Sequence, residues 1–132
     1  MSSPRDDVKS RIDAIEESYE FFLAFAAQGL TSDQGSKTGG QLRSFLGKCE
    51  GAVDGLAEAL RGLVAEESLE PASTWGEVLD IVERDASDTL SVVRLVAAQA
   101  SISSQLIDNL NANIHFRALL TDLFLVDELI GV

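Results

Sequence analysis

The chain has little that could cross-link or interrupt it. Cys49 is the one cysteine among 132 residues, so no disulfide can form within the chain and stability has to come from packing. The two prolines, Pro4 and Pro71, leave long stretches free of that strong breaker. Positive charge is also scarce: 10 Lys and Arg stand against 22 Asp and Glu, a net charge of −12. A nucleic-acid binder needs a basic face to neutralise phosphates, and no cluster of Lys or Arg supplies one. The same acidity opposes an anionic membrane surface. No run reaches the ~18 uninterrupted apolar residues of a membrane span, and "MSSPRDDVKS" holds no apolar segment of signal-peptide type. The expectation is a cytoplasmic protein that touches neither nucleic acid nor membrane.

What the chain does have is helical. Hydrophobic residues make up 45%, enough for a packed core, and they are not gathered into short alternating runs. Three helix starts share a capping-box spacing, in which a Ser or Thr accepts from the first turn and a residue three on reaches back. These are Ser3 with Asp6, Thr38 with Gln41 and Thr74 with Glu77. The first helix runs from Pro4 to about Gln28, striped by Val8, Ile12, Ile15, Tyr19, Phe22 and Ala26. Gly29 suits its C-terminus, and "LTSDQGSKTGGQ" reads as a loop. That loop lacks the G-x-x-x-x-G-K-[ST] spacing of a phosphate-cradling P-loop.

A second helix spans about Gly39 to Glu66. Beyond Thr74, no Gly or Pro falls between Glu77 and Ile130. Either "ASISSQ" or "NLNAN" hides a turn, giving an up-down-up-down bundle, or one very long helix runs to the end. The stripe Val93, Ala97, Ala100, Ser104, Ile107, Asn111, Ile114, Ala118 keeps its three–four spacing through both segments, which favours the long helix. Such a helix would outrun its neighbours and be completed by another subunit. The fold class is therefore all-α, a single domain over residues 1–132 with three to four long helices and an expected homo-oligomer.

The second helix poses a question of its own. Leu42, Leu46, Cys49, Val53, Leu56, Leu60 and Leu63 form its core stripe, while Gly47, Gly51, Gly55 and Gly62 gather on the opposite side. Three or four interior glycines cost roughly 3 kcal/mol relative to alanine, a sizeable share of a typical stability of about 5–15 kcal/mol. A bare face that lets another backbone approach closely would offset that cost. These four glycines are candidate partner-interface residues. So are Phe21 and Phe25, which lie off the first helix's stripe, and Phe124 and Leu125 in the apolar run "LLTDLFLVDELI".

Chemistry is not visible. His115 is the only histidine; Asp108 and Asp122, each seven residues away, share its helical face, but no nucleophile motif accompanies it. The Glu-x-x-His of di-iron bundles is absent, as is the spaced Arg and His of helical toxin-system RNases. Cys49 lies on the core stripe and reads as a small apolar residue. No catalytic residue, cofactor or metal is expected. The composition favours a non-enzymatic protein-interaction module: a homo-oligomeric scaffold, adaptor or accessory subunit. Two alternatives are a bundle carrying an apolar small molecule and an acidic inhibitor or immunity protein covering a basic surface.

Overall fold

A computed structural model describes residues 3–132. They form six helices: α1 (Pro4–Ala27), α2 (Lys37–Val53), α3 (Leu56–Glu66), α4 (Ala72–Ala97), α5 (Ser104–Ala112) and α6 (Ile114–Ile130), with no strand among the described residues. Two pairs are single arms broken once, α2 with α3 and α5 with α6. The arms run up, down, up and down, so that α1 and α4 each pack between the two broken arms. Buried apolar residues of all six helices join in one core, among them Phe22, Phe25, Leu46, Leu60, Val82, Ile107 and Phe116.

Each boundary has a local cause. Ser3 caps α1 as its spacing predicts, accepting from Asp6 N at 3.1 Å, with Pro4 at the first position. The other two caps differ from expectation. Ser36, not Thr38, caps α2 through Gly39 N at 2.9 Å. A Cβ on Gly39 would collide with the Asp33 carbonyl oxygen, so only glycine lets the loop fold back this closely. Helix α4 begins directly after Pro71, which leaves Thr74 inside it. Pro71 has no side-chain acceptor to cap the helix, and Glu70 Oε2 instead accepts from Ala72 N at 3.1 Å.

The unbroken second helix is also corrected. It stops at Asp54 and restarts at Leu56 because Gly55 has φ +85°, in the left-handed region. Arg11 of α1 covers the freed carbonyls, donating to Asp54 O at 2.6 Å and Ala52 O at 3.2 Å.

The long C-terminal helix is not formed. It breaks at residues 98–103 and again at Asn113. Ser103 caps α5, accepting from Leu106 N at 3.0 Å. Asn113 caps α6, accepting from His115 N at 3.0 Å and Phe116 N at 3.3 Å. Long-range contacts hold the first break. Ile102 N donates to Asp33 Oδ1 at 2.7 Å, and Ser104 Oγ donates to Phe25 O at 2.6 Å. The chain thus folds back on itself, and the reason for expecting a second subunit to complete a protruding helix disappears.

Candidate functional site

Helix α4 has two flanks. Toward α2 and α3 the seam is bridged by charge, with open cavities of about 400 and 240 Å³ beside the bridges. Arg61 donates to Asp80 at 2.9 Å and lies 3.4 Å from Glu83, while Arg94 donates to Glu50 at 2.8 Å and lies 3.6 Å from Asp54. Toward α6 the seam is different. Val78, Ile81, Asp85 and Asp88 follow one another at three–four spacing along α4. Leu129, Leu125, Asp122, Ala118 and His115 run antiparallel along α6 at the same spacing.

At one end of this seam, Leu69, Pro71, Trp75, Val78, Leu125 and Leu129 line an open cavity of about 330 Å³. Its remaining lining comes from Thr74 and the carboxylate-bearing Glu70. Leu125 is 56% exposed and Leu129 64%, so two leucines stand open in one cavity beside an indole and a proline.

Two turns further along, Asp85 and Asp122 meet. Asp122 Oδ2 is shut away from water and has no hydrogen-bond partner. Two carboxylates supply no donor, so the pair closes only when one carries a proton. Burial first, and then the Asp85 carboxyl opposite, push Asp122 up to about 7. Beyond the pair, His115 Nδ1 stands 3.6 Å from Asp88 Oδ2. The histidine's carboxylate neighbour is thus Asp88 rather than Asp108 or Asp122. Neither Arg84 nor Arg117, the basic residues of α4 and α6 nearest the acid pair in sequence, makes an ion pair with the described residues.

The residues singled out from sequence are scattered. Gly47, Gly51 and Gly62 are exposed on α2 and α3, and an added Cβ at each would meet open space. Gly55 does not share that face; it is the break between the two helices. Phe25 is fully buried in the core, which corrects its reading as a surface residue. Phe21 is half-buried and stacked on Phe45, centroids 4.5 Å apart. Phe124 is 57% exposed, but at about 100° per residue it stands on the flank of α6 away from α4. Only Leu125 of the eight belongs to the open seam.

From sequence, Val78 and Leu129 are passed over and Asp122 counts only as a neighbour of His115. Their signal is present in the sequence: two stripes, each apolar at one end and acidic at the other, offset from the core stripes of their helices.

The groups with latent chemistry are quiet. Cys49 is buried, and burial with the nearby Glu50 pushes its thiol up to about 12, so it is not a thiolate nucleophile. Among the described residues no group of three or more His, Cys, Asp or Glu is placed to hold a metal ion, and no helix is long and apolar enough to cross a membrane. The chain matches no family model, and no curated protein or solved structure is detectably similar to it.

Proposed function

We propose that the chain is a non-enzymatic protein-interaction module, an adaptor or accessory subunit that docks another protein on the seam between α4 and α6. The observation that carries the reading is the contrast between the flanks of α4: one is crossed by Arg61 and Arg94 ion pairs, the other has no such bridge and leaves Leu125 and Leu129 exposed beside Trp75. Apolar surface of this kind, rimmed by carboxylates, is what a partner covers. A helix of the partner lying between α4 and α6 would complete the three-helix packing that the two helices begin.

Photo-crosslinking in lysate of the native host tests the reading. A photoreactive residue at Leu129 is expected to give one saturable adduct. Unlabelled wild-type chain competes for it, and the Leu125→Glu variant does not. The same probe at Gly47 gives no such adduct. Random labelling from both positions would overturn the reading. The mass in solution settles who the partner is: a monomer of 14.1 kDa leaves the seam free for another protein, whereas a dimer makes a second copy the occupant.

A further inference from the structure

Resting on the docking reading above, the geometry points to an amphipathic helix of a basic protein as the occupant of the α4/α6 seam, its apolar residues in the Trp75–Leu129 cavity and a Lys or Arg two turns along it paired with Asp85 and Asp122. The spacing comes from the seam itself. Val78 and Asp85 are seven residues apart on α4, and so are Leu129 and Asp122 on α6. Both steps are about 10.5 Å at 1.5 Å per residue. A helix laid parallel to the seam repeats that distance between positions i and i+7, on one face.

Charge complementarity selects the partner. Glu70 at the cavity and the Asp85–Asp122 pair two turns away are acidic, and the only seam group that can become cationic, His115, already faces Asp88. The chain as a whole carries −12. A second copy joined about a two-fold axis brings to the seam only the same residues, so half-buried carboxylates would meet carboxylates or leucines and remain unpaired. A partner's guanidinium supplies five donors in a planar fork, enough to bridge the solvent-facing sides of both carboxyl groups at once.

Docking therefore exchanges a proton for a cation. Below about pH 7 the carboxyl pair of the free chain shares one proton. When Arg or Lys arrives, that proton leaves to solvent and both carboxylates face the new charge. Along the seam the titratable groups are Asp85 and Asp88 from α4 and Asp122 and His115 from α6. The Asp122 contribution is isolated from its neighbours by substitution.

The test uses the full chain and two synthetic amphipathic peptides of about 18 residues, five helical turns. Both carry leucines on one face. One has Arg seven residues from the central leucine, and the other has Gln there. Each is titrated at pH 6 and pH 8, read by Trp75 fluorescence and by amide shifts along α4 and α6. The Arg peptide is expected to bind at the seam about tenfold more tightly than the Gln peptide at pH 8, with a smaller ratio at pH 6. Calorimetry at pH 6 in buffers of different ionisation enthalpy is expected to record proton release for the Arg peptide alone. Asp122→Asn should remove the preference and the proton release while leaving binding of the Gln peptide unchanged. Equal binding of both peptides at the seam overturns the basic partner and leaves the docking reading standing. Shifts confined to other faces, or none, overturn the proposal as well. The docking reading is then judged separately by the Leu129 crosslink, whose loss alone would sink it.

Discussion

One helix, two flanks: α4 meets α2 and α3 through Arg61 and Arg94, each bridging two carboxylates, and meets α6 through two carboxylates with no cation between them. Both seams rest on the same core, since Leu79, Val82, Ala86 and Val93 are buried between them. The difference lies outside the core. On the closed side, polar groups answer one another within the chain. On the open side Asp88 faces His115, but Leu125, Leu129 and the Asp85–Asp122 pair lack counterparts. Core packing decides that the helices meet; the rim decides whether their meeting is finished or left for another molecule.

The comparison can be broken most severely at the top of the closed side. Asp33, buried in the loop before α2, accepts from Arg43 Nε at 2.8 Å and from Ile102 N at 2.7 Å, while Arg43 also donates to Ala97 O and Gln99 O. This clasp ties α2 to the end of α4. Burial pushes the Asp33 carboxyl up, but the Arg43 and Ile102 hydrogen bonds outweigh it and hold the group below its usual value. Asp33→Ala strands Arg43 and a buried N–H, and is expected to cost about 3 kcal/mol, lowering Tm by roughly 10 °C. The depressed carboxyl contributes stability that is present above its unfolded value of ~3.9 and is lost as pH falls through the lower folded value. The variant should therefore lack part of the wild type's acid-side decline in a pH series of thermal melts.

The open side should respond with the opposite sign. Asp122 is raised, so the folded chain binds its proton more tightly than the unfolded chain does. Stability then falls as pH rises from ~3.9 toward about 7, and the loss is complete above that. Asp122→Asn keeps a donor for Asp85 without the charge. With the shift discounted for solvent screening, it is expected to gain about 1 kcal/mol at pH 8, or ~4 °C in Tm, and to gain little at pH 5. A variant less stable than wild type at pH 8 would show that the pair contributes to the fold.

The smallest effects sharpen the contrast. Arg61→Ala removes exposed ion pairs and should cost about 0.5 kcal/mol, with no change in the Leu129 crosslink. Leu125→Gln should also stay within ~0.5 kcal/mol in urea denaturation, yet diminish the crosslink. Two substitutions of equal thermodynamic weight would then separate the flanks by function.

The helical class and the Ser3 cap were legible because a Ser-Pro start and a three–four stripe leave few other solutions. The breaks were not. The stripe from Val93 to Ala118 crosses both of them, with Ala100 and Ile114 exposed where the helix was expected to hold them inside. Small and polar residues such as Ala100, Ser104 and Asn111 fit either side of a helix, so the phase survives on paper after the backbone has turned. What turns it lies far away in sequence, in Asp33 and Phe25. The glycines were legible as a face, but Gly55 was read as part of that face although its positive φ ends a helix. The open seam went unseen because each half is an unremarkable stripe, and only the antiparallel pairing of α4 with α6 brings the apolar ends and the acidic segments together.

Asn113 closes α5 and opens α6 with no residue to spare. That joint makes the chain unequally tolerant of insertions. A residue added beside the exposed Gly35 lengthens a turn and shifts no helix, provided Asp33 keeps its bonds to Arg43 and Ile102 N. A residue added at the joint rotates all of α6 by about 100°. It would carry Leu125 and Leu129 around the bundle and lift Leu119 and Leu123 from the core. Descendants of this chain can gain length at that turn, but at residue 113 they can only substitute.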